Sequence, residues 1–181
     1  LKQCSLSTLL ETLAQMFPCA SFTAAELPSP SDNRGRIVFC TDGNMGEFLK
    51  YLPGVDIDYV TLLKTLTANR DLVRAYAYTG LDPDNENQKA FHNFLDRNNY
   101  KVVSKDVRKY GDGRFKANLD IELVVDLVRL APKLDVAVVI SGDGDFAPAI
   151  RAVQDMGVRV EVVSLRANTS SDLVDVADQF I

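Results

Sequence analysis

Apolar residues along this chain fall into two alternating rhythms, short unbroken runs and runs spaced three and four apart. Residues 5–16 come first, with Leu6, Leu9, Leu10 and Leu13 at helical spacing. The stretch from Leu27 to Gly35 carries two prolines, Asp32, Asn33 and Gly35, and reads as a linker. From Arg36 the two rhythms alternate. Ile37–Cys40 is a short apolar strand ending at Thr41-Asp42-Gly43-Asn44, and Tyr59–Leu66 is a helix with Asp58 as its cap. Leu72–Tyr78 reads as a strand closed by Thr79-Gly80 and the Asp82-Pro83 turn. Glu86–Asn98 presents Ala90, Phe91, Phe94 and Leu95 on one helical face, and Lys101–Ser104 is a short strand before a basic loop over 105–118. Leu119–Ala131 is the next helix, stopped by Pro132. Val136–Ile140 is the fourth strand, Phe146–Met156 a helix that tolerates Pro148 in its first turn, and Gly157 its C-terminal glycine. Val158–Val163 is the fifth strand and Ser171–Phe180 the last helix.

Strands interleaved with helices require crossover connections, and crossovers cover both faces of a parallel sheet. The expected fold class is therefore α/β, a three-layer sandwich around a central parallel sheet of about five strands. The chain divides into an amino-terminal helix with a Pro/Ser-rich linker over 1–35 and an α/β domain over 36–181. The amino-terminal helix could pack on that domain, pair with a second copy or meet a partner protein.

At 181 residues and 46% apolar content the chain can bury one sizeable core and is not a disordered polymer. No apolar run approaches the roughly 18 residues of a membrane span, so no membrane role is expected. Cys4, Cys19 and Cys40 form no metal-ligand spacing and no disulfide framework, which suits a reducing, cytoplasmic setting. Cys40, in a central strand, is expected to be a buried free thiol. The net charge of -5 argues against an extensive phosphate-binding surface. Residues 101–118 nevertheless carry Lys101, Lys105, Arg108, Lys109, Arg114 and Lys116 against Asp106 and Asp112, a local excess of +4.

The candidate chemistry gathers at strand ends. Val136–Ile140 runs into Ser141-Gly142-Asp143-Gly144-Asp145, a small-residue turn with two carboxylates. Parallel connections put all strand carboxyl ends on one edge, and where strand order reverses at the first strand, strands one and four flank the ligand crevice. Asp42, Asp143 and Asp145 could then share a hard cation, which prefers oxygen ligands. The same acids could instead cap the helices that follow. Asp120, starting the helix that feeds strand four, belongs near this edge, unless it serves only the helix dipole. Asp126, embedded after Leu123-Val124-Val125, is either buried and paired or functional, with Glu122 four residues before it. Asn44 could donate to a phosphate oxygen or hold the Asp42 turn, and Thr41 and Ser141 could bind phosphate or fix their loops. Lys109, Arg114 and Lys116 could meet phosphates while Tyr110 and Phe115 stack bases, or those rings could anchor the loop.

Several motifs together resemble the NYN domain of the PIN-like nuclease superfamily, in its LabA-like branch. They are Val38-Phe39-Cys40-Thr41-Asp42-Gly43-Asn44, Arg74–Gly80, Gln88-Lys89-Ala90-Phe91, Gly111–Lys116 with Asp120 and Asp126, Ser141–Phe146, Gly157–Val160 and Leu173–Phe180. The resemblance spans about residues 36–181. It implies a metal-dependent ribonuclease fold, with Asp42, Asp120, Asp143 and Asp145 as catalytic acids, Asn44 beside them and Asp126 as a further acid. Cys40-Thr41 departs from the bulkier apolar residue that usually precedes the first acid. Regulatory roles, including circadian output in cyanobacteria, are also linked to this branch.

These residues suit phosphodiester hydrolysis in single-stranded RNA, with Asp42, Asp120, Asp126, Asp143 and Asp145 holding Mg²⁺ or Mn²⁺. The alternative is a non-catalytic RNA-binding or protein-interaction module that keeps the nuclease fold. Glycine-rich phosphate loops are absent, and the Asp42-Gly43-Asn44 turn lacks the second acid expected of an aspartyl-phosphate enzyme. Because crowded carboxylates repel one another, alanine at Asp42 or Asp143 is expected to raise the stability of the metal-free protein.

Overall fold

A computed structural model describes residues 3–4, 35–41, 56–106, 108–109, 115–116 and 118–181. The chain beyond Gly35 alternates as the hydrophobic pattern requires. β1 is Arg36–Thr41, α1 Tyr59–Thr67, β2 Asp71–Leu81, α2 Glu86–Arg97 and β3 Tyr100–Asp106. α3 is Asp120–Leu130, β4 Val136–Ile140, α4 Ala147–Gln154, β5 Arg159–Val163, α5 Ser171–Val176 and β6 Gln179–Phe180. Short pairs also form between Gln3–Cys4 and Asp56–Ile57, and between Arg108–Lys109 and Phe115–Lys116.

The main sheet has six strands in the order β6-β5-β4-β1-β2-β3, every neighbouring pair parallel. Strand order reverses between β1 and β4, the arrangement that opens a crevice above their carboxyl ends. β4 is buried at all five positions, as a central strand covered on both faces must be. One face packs Val38, Cys40, Tyr76 and Tyr78 against Leu123 and Leu127 of α3, Ile150 and Val153 of α4, and Leu173 of α5. The other packs Ile37, Ala75, Ala77, Val136 and Val138 against Leu62, Leu63 and Leu66 of α1 and Leu95 of α2.

Three expectations change. The sixth strand arises because the last helix stops at Val176: Asp178 donates its N–H to Val160 O and accepts from Val160 N through Oδ2, turning the chain onto the edge of β5. β2 runs through Thr79-Gly80 instead of turning there, since β3 pairs with it as far as Leu81↔Asp106. The fourth helix is preceded by a separate turn of 3₁₀ helix, Gly144–Phe146. Asp58 does cap α1, accepting from Val60 N at 3.1 Å and Thr61 N at 3.0 Å, and Gly157 takes the left-handed φ of 87° that ends the α4 turn. The expected helix over 5–16 and the linker as far as Arg34 lie outside the described residues. Among the described residues no helix is long and apolar enough to cross a membrane.

Register gives the carboxyl edge a step. Thr41, the last residue of β1, is level with Ile140 of β4 and Ala77 of β2. β2 and β3 continue for four further positions, Tyr78–Leu81 beside Val103–Asp106. At about 3.3 Å per residue this raises a wall of roughly 13 Å beside the floor formed by β1 and β4.

Candidate metal and phosphate site

The floor carries the double-acid turn. Ser141 leaves β4 almost fully buried, and its Oγ accepts from Asp143 N at 3.1 Å. Asp143 in turn caps the 3₁₀ turn, its Oδ1 accepting from Asp145 N at 2.9 Å. Asp145 faces solvent. The capping role weighed for these acids is thus realised at Asp143, through one carboxylate oxygen.

Both glycines of the turn are required by what lies above it. A Cβ at Gly142 would sit 2.6 Å from Asn168 O, and one at Gly144 would sit 2.5 Å from Ser170 Oγ. Ser170 N donates to Gly142 O at 3.0 Å, and Thr169 Oγ1 donates to Ser164 Oγ at 2.7 Å. The loop after β5 therefore braces the acid turn through backbone and hydroxyl groups. Sequence reading missed Ser164, Asn168, Thr169 and Ser170, because a contact made so far along the chain leaves no local periodic signal.

Thr41 ends β1 at 3% exposure, and its Oγ1 has no hydrogen-bond partner among the described residues. Asp42, which follows it, lies outside the described residues, as do Asn44 and Arg114. Lys109 and Lys116 belong to the short antiparallel pair, opposite Phe115 and Arg108 respectively. That pair gives the basic stretch a hairpin stem where the sequence suggested a loop.

α3 descends along the wall. Asp120 is its first residue, its Oδ2 accepting from Asn118 Nδ2 at 2.7 Å while its N–H donates to Asn118 Oδ1 at 3.1 Å. An Asn two positions before the first helical acid is a cap-like signal that could have been read from the sequence. Glu122 pairs with Lys105 at 2.6 Å, and that ammonium, by hydrogen bonding, holds the Glu122 carboxyl below its usual range. Asp126, nearly two turns below Asp120, is mostly buried and engaged at both oxygens. Oδ2 accepts from the Tyr78 hydroxyl at 3.2 Å, and Oδ1 pairs with Arg129 at 2.7 Å. Tyr78 also hydrogen-bonds Cys40, whose thiol is fully buried. Burial pushes Cys40 up to about 12, partly opposed by the Tyr78 bond, so it stays a neutral thiol as expected of a core residue. Burial likewise raises the Tyr78 phenol, with Cys40 and Asp126 adding to the effect.

The structure therefore brings β1 and β4 side by side and places the Ser141–Asp145 turn at the head of β4. Asp120 lies by the top of the wall and Asp126 lower down, against Tyr78. Among the described residues, no three His, Cys, Asp or Glu side chains are grouped closely enough to hold a metal ion.

The family model for the NYN domain matches residues 40–181. Over 155 residues, 81% of this chain and 82% of the relative, the sequence is 33% identical to the low amplitude and bright protein LabA of Synechococcus elongatus. A shorter match, 33% identical over 66 residues, joins it to an uncharacterized protein of Methanocaldococcus jannaschii, covering 35% of this chain and 28% of that one. A crystal structure of a protein of unknown function from Vibrio parahaemolyticus superimposes with a TM-score of 0.72 at 26% identity, covering 84% of this chain and 95% of the other.

Proposed function

Because the chain belongs to the NYN domain family of the PIN-like nuclease superfamily, we propose that it is a metal-dependent ribonuclease hydrolysing phosphodiester bonds in single-stranded RNA. The observation that carries this reading is the register Thr41↔Ile140, which sets the strand leading into Asp42 beside the strand leading into Asp143 and Asp145. The functional domain is taken as residues 36–181, in a cytoplasmic setting, with the segment before it, apart from Gln3–Cys4 paired to Asp56–Ile57, offered to a second copy or a partner protein.

The available donors fit Mg²⁺ or Mn²⁺. They are all oxygens, the preference of a hard cation, and Thr41 Oγ1 adds a buried hydroxyl without a partner among the described residues at the same edge. Asp42, Asp143 and Asp145 would hold the ion, with Asp120, which is not grouped with the last two, serving the same edge from the start of α3. Asp126, with Tyr78 and Arg129 on its two oxygens, stands one step behind them. Such an ion lowers the pKa of a water and offsets charge developing on phosphate oxygens.

The chain's own residues supply the rest. Asp143 is fixed in orientation by its capping bond, and solvent-facing Asp145 can take a proton from water at a carboxylate oxygen. Ser141 holds the Asp143 backbone in place. Asn44 and Thr41 would donate to phosphate oxygens, while Lys109, Arg114 and Lys116 attract the RNA backbone over a molecule of net negative charge. A sheet-edge cleft beside a raised wall admits an extended strand more readily than a duplex.

The engagement of Asp143 as a cap and of Asp126 as a pairing residue favours one second reading, an RNA-binding or regulatory module that keeps the nuclease fold without turnover. Incubation of the purified chain with a labelled single-stranded RNA separates the two. The ribonuclease reading expects cleavage that requires Mg²⁺ or Mn²⁺, stops with chelator and is lost in Asp42→Asn. Binding without cleavage in either metal would establish the module instead.

A further inference from the structure

α3 begins without an ordinary cap. Its N-cap residue is Leu119, which has no side chain able to accept the first N–H groups. Asn118 takes over part of that task, accepting Asp120 N–H at Oδ1 and donating Nδ2 to the Asp120 carboxylate at 2.7 Å. Asn118 is itself exposed and needs a hold of its own. Lys105 supplies it from the far end of β3, donating Nζ to Asn118 O at 3.1 Å and pairing with Glu122 Oε1 at 2.6 Å. One ammonium thus spans the first turn of α3, gripping the residue before its cap and a residue after Asp120.

We infer that Lys105 is a positioning residue that fixes the orientation of Asp120 through Asn118 and Glu122. This rests on the ribonuclease reading, in which Asp120 serves the site, and gives that acid a structural support outside the motifs of the family. Lys105 is half-exposed, and a surface ion pair of this kind contributes little to stability. Its effect is on geometry. Catalytic groups lose rate steeply when displaced, on the order of a hundredfold for 1 Å. The clamp also separates cleanly from plain electrostatics. If Lys105 acted only as a positive charge drawing in RNA, removing the opposing charge of Glu122 would help; if it is a clamp, removing either partner harms.

The test compares Lys105→Met, Glu122→Gln and Lys105→Arg with the wild type, using RNA cleavage with Mg²⁺ or Mn²⁺ and hydrogen exchange at the Asp120 amide by NMR. The clamp predicts that Lys105→Met and Glu122→Gln both lower kcat by about tenfold, well short of outright displacement. KM should be little changed, and Asp120 amide exchange should be faster by a similar factor. Melting temperatures should stay near wild type, and Lys105→Arg should retain most of kcat. Faster turnover in Glu122→Gln, or unchanged amide exchange in both variants, would overturn it. If the wild type cleaves nothing, the ribonuclease reading fails, while the amide exchange still decides whether Lys105 holds the Asp120 turn.

Discussion

Asp143 caps the 3₁₀ turn through Oδ1 and is also proposed to meet a cation, so substitution can separate its cap from its charge. Asparagine keeps the capping oxygen and removes the charge, whereas alanine removes both. In metal-free protein the Asp143→Asn variant should melt at or above wild type, because repulsion from Asp42 and Asp145 is relieved. Asp143→Ala should melt lower, by the equivalent of about 1 kcal/mol, the usual worth of a cap. Both should abolish cleavage. Identical melting of the two variants would show that the cap is without energetic weight. This revises, for Asp143, the expectation that alanine raises metal-free stability; that expectation stood on charge alone, and the capping bond adds an opposing effect. The residue identities at this turn were legible in the sequence. Their neighbours were not: Gly142 and Gly144 are small because Asn168 and Ser170 press on them, a constraint set by tertiary approach rather than by the turn itself.

Between elements, the joint of α1 and β2 is tied across the sheet by a buried pair. Arg70 Nη1 lies 2.8 Å and 2.9 Å from the two oxygens of Glu161 in β5, with side chains 6% and 8% exposed. Arg70 also donates to Leu66 O and Thr67 O, so its fork holds the end of α1 as well. Removing Arg70 leaves the buried Glu161 carboxylate with only the half-exposed Arg159, 3.7 Å away. Arg70→Met should therefore cost about 3–5 kcal/mol in urea unfolding, and pairing it with Glu161→Leu should recover most of that loss. A single-variant cost below about 1 kcal/mol, the range of exposed pairs, would show that water reaches the stranded carboxylate. Nothing local in the sequence announces this pair, since the alternation Arg159-Val160-Glu161-Val162 reads Glu161 as a solvent-facing position. The elements themselves were largely legible, because their periodicities are local properties of the chain. Boundaries failed where a partner strand decided them: β3 draws β2 past Gly80, and β5 draws Gln179–Phe180 out of the helical pattern.

The whole molecule places the ends of β1 and β4 side by side at a topological switch point and raises β2, β3 and the start of α3 as a wall beside them. That adjacency was legible as a rule of parallel α/β sheets, given only the order of strands and helices. The height of the wall was not, because it depends on how far two strands remain paired. Nor was the separation of Asp120 from Asp126 in role, which follows from Asn118 holding one while Tyr78 and Arg129 hold the other. Everything proposed for the chemistry turns on this stepped edge holding a divalent cation between the turns that follow β1 and β4. Anomalous diffraction from a crystal soaked in Mn²⁺ decides it. The expected result is a manganese peak coordinated jointly by Asp42 and by Asp143 or Asp145. A fully soaked crystal with those carboxylates apart and no peak between them would refute the cation site.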